Sequence, residues 1–193
     1  ERAARYAGKM FHDDLSVPPI AAGALGDAYL DQIERYLSSV RGDGVNQFKS
    51  AAAWLADAGK SRSTLQGMAH IFPAHFDDPR APQMFEKADS MVIAGHEKPA
   101  DMVLALAYQL PPQPAIDAAV RHHSKLVYTS VRRAKETGAN IIYIDPHWPI
   151  EDACVPIKGY DIPALPASAV MQAAIYWPII AETCAIEEGG TLK

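Results

Sequence analysis

The sequence predicts an α/β domain, a three-layer sandwich built on an open, mainly five-stranded parallel sheet with two N-terminal helices and a C-terminal helix. Three observations carry that expectation. Two apolar runs without alternation, Met102-Val103-Leu104-Ala105-Leu106-Ala107-Tyr108 and Asn140-Ile141-Ile142-Tyr143-Ile144, suit strands buried on both faces. A helical pattern joins them, which makes a parallel βαβ unit with the right-handed crossover such units take. Helical patterns also open and close the chain, so helices flank a single sheet.

With 193 residues, 49% of them hydrophobic, the chain can bury one good core, and a second full domain is not expected. Residues 1–22 read as an N-terminal arm, broken by Val17-Pro18-Pro19; residues 23–188 form the domain and 189–193 a tail. Leu25, Tyr29, Ile33, Tyr36, Leu37 and Val40 make the apolar stripe of a first helix, with Asp27, Asp31, Glu34 and Arg35 opposite. Gly42-Asp43-Gly44 reads as a turn, and Phe48, Ala51, Ala52, Leu55 and Ala56 mark a second helix ending at Gly59.

Thr64 to Met68 is a weak first strand, and Met91-Val92-Ile93-Ala94 a second. Between them, 78–88 reads as loop with a short helix near Gln83 to Lys87. The run from Met102 is the third strand. Ile116, Ala119, Val120, His123, Val127, Ser130, Val131 and Ala134 then recur at helical steps, with Pro114 in the first turn and Gly138 just past the end. A rival reading makes Lys125 to Ser130 a short strand, on the strength of Leu126-Val127-Tyr128-Thr129. The run at 140–144 is the fourth strand, and Ala153-Cys154-Val155-Pro156-Ile157 a fifth, placed at an edge by its proline. Ser168 to Glu182 is the closing helix, apolar over more than one face.

Net charge is -5 and no basic cluster exceeds Arg132-Arg133, so nucleic acid is not expected as a partner. Cys154 and Cys184 are too few for a disulfide framework or a metal knuckle and read as incidental thiols. No apolar stretch reaches bilayer length without interruption, Pro178 dividing the longest, so no membrane is expected. The expected compartment is the cytoplasm, with export after cleavage of a leader left open because the chain starts at Glu1.

Ligands of open parallel sheets bind outside the carboxyl ends of the strands. That rule selects His70 and His75 after the first strand, His96 and Glu97 after the second, Tyr108 and Gln109 after the third, and Asp145 and His147 after the fourth. His122 and His123 fall in a helix and His12 in the arm. Each histidine alone is most simply a surface or capping group; their convergence on one edge is what singles them out. Glu97 with His96 or His70 could move a proton beside a sugar carbonyl, as general base and acid. Alternatively His70, His75 and His96, with Glu97, Asp77 or Asp145, could bind Zn or a similar divalent ion. Spacing does not separate the two. Ser168 opens the last helix, where free N–H groups and a hydroxyl can hold phosphate or form a plain N-cap. Lys60, Arg62 and Lys98 are the cations nearest that edge in sequence, with solvated surface charge as their default role.

The layout resembles the sugar isomerase (SIS) domain family of phosphosugar isomerases and phosphosugar-binding regulators. The resemblance rests on the leading helices, on Asp101 with the apolar strand to Tyr108, on Ala134-Lys135-Glu136-Thr137-Gly138-Ala139-Asn140-Ile141-Ile142 and on the Ser168 helix, and it spans roughly 23–188. It implies a flavodoxin-like sheet order, a tendency to dimerise and a ligand edge. Tyr108-Gln109-Leu110-Pro111-Pro112 stands where the family has a phosphate loop rich in Ser and Thr. Gln172 matches that of the last helix in phosphoheptose isomerases, but Ala173 and Ile175 replace its acid and base, so no catalytic residue is implied.

The expected function is binding of a sugar or sugar phosphate at the strand ends, with isomerisation open. The alternatives are a metal-dependent enzyme using the same histidines, and a non-catalytic SIS-like subunit or scaffold. The expected assembly is a homodimer or higher homo-oligomer sharing the apolar faces of 23–40 and 168–186, with Tyr176 and Trp177 between chains.

Overall fold

A computed structural model describes residues 19–59, 61–66, 87–89, 100–135, 138–158 and 163–189 of the chain. The elements are α1 (Ala24–Ala58), β1 (Arg62–Gln66), β2 (Lys87–Asp89), β3 (Met102–Leu106), α2 (Gln113–His122), β4 (Lys125–Thr129), β5 (Ile141–Ile144) and α3 (Ser168–Glu187). The sheet order is β2-β1-β3-β4-β5, and every pairing is parallel. Four strands carry the pairing, with the three-residue β2 along one edge.

The expected class, α/β around a parallel sheet with a C-terminal helix, is the one observed; several elements differ. The two N-terminal helices are one helix of 35 residues, because Gly42-Asp43-Gly44 does not turn. Glycine weakens a helix interior by about 1 kcal/mol per residue, yet the buried stripe Ile33, Val40, Gly44, Phe48, Ala51, Ala52 and Leu55 runs straight through. Gly44 serves close packing: a Cβ there would meet the Phe48 ring at 3.1 Å. The helix ends where expected, at Gly59, whose φ of 56° belongs to the left-handed region.

The predicted helix from Pro114 to Glu136 is also corrected, and the rival strand at Lys125 is the one that forms. Leu126 to Thr129 are all buried between β3 and β5, which favours an extended β-branched and aromatic run over a helix with one wet face. α2 closes on His123 in the left-handed conformation, at φ 55°, and not on Gly138. A distant residue completes that end. The Asn140 amide donates to the carbonyls of Ala119 (3.1 Å) and Ser124 (2.7 Å), giving partners to groups that a helix end leaves bare.

The predicted fifth strand at 153–157 is a single antiparallel bridge between Val155 and Ala164. The first strand lies slightly earlier than expected, at Arg62–Gln66; the second expected one, at 91–94, falls outside the described residues. α3 runs unbroken through Pro178, so by length and composition it could span a bilayer, contrary to the expectation that Pro178 divides it. Here it is a core element, burying Met171, Gln172, Ile175, Tyr176, Ile179, Ile180 and Thr183.

Side chains of β3 alternate between two cores. Met102, Leu104 and Leu106 join Val127, Ile144, Trp148 and the inner faces of α1 and α3. Val103 and Ala105 join Leu126, Tyr128 and Ala115, Ile116 and Ala119 of α2. Tyr176 is in the first of these cores and fully buried, not in an interface as expected; Trp177 is 45% exposed on the outer side.

Candidate functional site

The strand order reverses at β1: the chain passes from β1 to β2 on one side and returns to β3 on the other. In open parallel sheets the carboxyl ends beside such a reversal are where ligands bind. The turn after β3 is Ala107-Tyr108-Gln109, and it is tied to the turn after β4. Val131 N–H donates to the Tyr108 carbonyl and Arg132 N–H to that of Gln109, both at 3.0 Å. Gln172 of α3 donates its amide to Ala107 O at 2.8 Å, and the Gln109 amide donates to Ile150 O at 2.7 Å.

Asp152 organises the side of this edge nearest α3. Its Oδ1 accepts from the backbone N–H groups of Ala167 (3.0 Å) and Ser168 (2.7 Å), and its Oδ2 from the hydroxyls of Ser168 (2.7 Å) and Tyr108 (2.8 Å). The carboxylate thus supplies the anion that a helix N-terminus favours. Asp152 is 8% exposed and has φ 52°, a left-handed conformation that aspartate tolerates better than most residues. Ser168 is buried beneath it, so a phosphate at this helix end would have to displace Asp152. Burial, with the nearby negative charge of Asp152, pushes the Cys154 thiol up from its ordinary pKa.

Asp145 and His147 follow β5. The Asp145 carboxylate accepts from the His147 N–H at 2.9 Å, a local turn that holds His147 at φ 59°. The imidazole then lies between two acids, Nε2 at 3.5 Å from Asp43 of α1 and Nδ1 at 3.9 Å from Asp145. On the opposite face the Tyr143 hydroxyl donates to Ser130 O at 2.9 Å, and Arg133 lies over its ring at 5.3 Å. Burial first, then the charge of Asp145, raises the Tyr143 pKa well above its ordinary value.

Of the predicted site residues, the structure therefore places Tyr108 and Ser168 on one buried carboxylate, Gln109 on the carbonyl of Ile150 and Asp145 with His147 beside α1. His70, His75, His96 and Glu97 lie outside the described residues, as do Asp77, Lys60 and Lys98. Arg62 is not at this edge: it opens β1, in register with Met102 at the amino ends, and pairs with Glu187 at the end of α3. His123 is likewise at the amino end of β4, where it closes α2. Among the described residues no three His, Cys, Asp or Glu side chains gather closely enough to hold a metal ion. Sequence reasoning missed Asp152. It stands 16 residues before Ser168, a separation with no local signature. Compared with known proteins, the chain matches no protein-family model and no curated protein.

Proposed function

We propose that the chain binds a sugar or sugar phosphate at the carboxyl ends of its parallel strands. The observation that supports this reading is the reversal of strand order at β1: open parallel sheets use the carboxyl ends beside such a reversal for ligands, and the turn that follows β3 carries Tyr108 and Gln109. The likeness of 100–108 and 134–142 to sugar isomerase domains favours a sugar as the ligand. In an isomerase of this kind Glu97, with His96 or His70, would carry the proton between neighbouring carbons. A thermal-shift panel of sugar phosphates is the test. Binding stabilises by mass action, about 2.7 kcal/mol at a hundred times Kd, so one member at least should raise the melting temperature. A panel without any shift would contradict the reading.

The expected partner is a second copy of the chain. The outer sides of α1 and α3 expose Leu30, Leu37, Val45, Val170 and Trp177. Between these helices runs a cavity of about 360 Å³ with Arg41 and Lys49 on one wall and Glu182 on the other. A two-fold contact can set the cations of one copy against the acid of the other, which makes such a face self-complementary.

A further inference from the structure

The turn that leaves β4 crosses the carboxyl rim of the sheet. Val131 packs against the core beneath α1 and α3, while Arg133 lies over the Tyr143 ring on the α2 side, at 5.3 Å. Arg132 stands between them and is exposed. Its backbone is held in place: the N–H donates to Gln109 O at 3.0 Å, and the carbonyl accepts from the buried Ser130 hydroxyl at 2.8 Å. The side chain therefore leaves a fixed turn that is joined to the turn after β3.

Other groups at this edge that could hold an anion are engaged. The hydroxyls of Tyr108 and Ser168 are given to Asp152, that of Tyr143 to Ser130 O, and the Gln109 amide to Ile150 O. Thr129 is buried. Arg62 and Lys125, at the other end of the strands, pair with Glu187 and Asp57. The Arg132 guanidinium makes no hydrogen bond or ion pair among the described residues.

We propose that Arg132 receives the anionic group of the strand-end ligand, which makes that ligand a sugar phosphate and not a neutral sugar. The proposal rests on the strand-end reading and assigns the phosphate its cation. A guanidinium offers paired N–H donors that match two phosphate oxygens, and it is always charged. The acids Asp43 and Asp145 face His147 at the turn after β5, so like charge keeps the phosphate on the β3 and β4 side of the rim.

The wild-type chain, Arg132→Gln and Arg133→Gln are titrated by calorimetry with D-glucose, D-fructose and D-glucitol, each beside its 6-phosphate. Urea unfolding of the same three proteins checks the fold, and Arg132→Gln should keep the wild-type midpoint. A 6-phosphate should bind where its parent sugar does not, more weakly as salt is raised. Its Kd should rise about tenfold or more in Arg132→Gln and about twofold or less in Arg133→Gln. Equal losses in the two variants, or a Kd unchanged in Arg132→Gln, would overturn the assignment and leave strand-end binding intact. So would a neutral sugar that binds as tightly as its phosphate. No binding of any probe to the wild-type chain would overturn both.

Discussion

Asp152 spends its charge inside the molecule. One carboxylate accepts from two backbone amides and two hydroxyls, closing the 149–152 segment onto the N-terminus of α3 and the turn after β3. Charge-assisted bonds of this kind are the strong ones, and losing the acceptor leaves buried donors bare. Asp152→Ala should therefore lower unfolding stability by about 2–3 kcal/mol in urea titration, and Ser168→Ala by about 1 kcal/mol. The larger loss belongs to Asp152 because the amides and the Tyr108 hydroxyl survive a change at Ser168 but not one at Asp152. Equal losses would mean that the serine hydroxyl, not the helix amides, holds the segment. None of this could be read from spacing. Ser168 was visible as a helix-opening residue, but the group that meets it comes from a loop whose path only the packed fold decides.

Among the elements, α1 and α2 show where local signals yield to packing. Gly42 and Gly44 carry the signature of a turn, and the apolar stripe on both sides of them carries the signature of a helix; burial against α3 and the sheet settles the conflict for the helix. The two glycines should then respond differently. A Cβ at Gly42 meets nothing within 4 Å, so Gly42→Ala should raise stability by about 0.5–1 kcal/mol. At Gly44 the same change presses on Phe48 and should gain less or lose. In α2 the periodicity of Ile116, Ala119 and Val120 was legible, and so was Pro114 in the first turn. The stop was not, because it uses His123 in place of glycine together with the amide of Asn140 from the far side of β4. Asn140→Ala should cost about 1–2 kcal/mol in urea titration, and a neutral result would show that solvent satisfies those carbonyls equally well. The apolar runs of β3 and β5 were plain in the sequence, and β3 is buried throughout as such a run suggests, whereas β5, at the sheet edge, fully buries only Ile144. β4 was half hidden, its five residues fitting a helical period as well as a strand.

For the molecule as a whole, the parallel sheet fixes the edge at which a ligand is proposed, and groups buried around it fix the response to alkali. Burial raises the pKa of Tyr143 and Tyr176 above the ordinary 10.0 and that of Cys154 above 9.0. Each group keeps its proton more firmly when folded than when unfolded. The stability this contributes is fully present below the unfolded values and falls as pH rises past them. Urea midpoints should accordingly hold near pH 8 and decline from about pH 9 upward, less steeply in Tyr143→Phe; a flat profile to pH 11 would contradict the burial of these groups. The outer face of α1 and α3 is the molecule's other large-scale feature. If it joins two copies, Trp177→Glu should convert a dimer to a monomer in sedimentation velocity, and a wild-type chain that sediments as a monomer at all concentrations would remove that assembly.

The edge at which the strands end is the central claim, and amide chemical-shift mapping with the best-binding sugar phosphate tests it most directly. The account predicts that shifts concentrate at 107–109, 130–132 and 145–148, the turns that leave β3, β4 and β5. Shifts gathered instead around Arg62, Asp101 and Lys125, at the other end of the same strands, would contradict it.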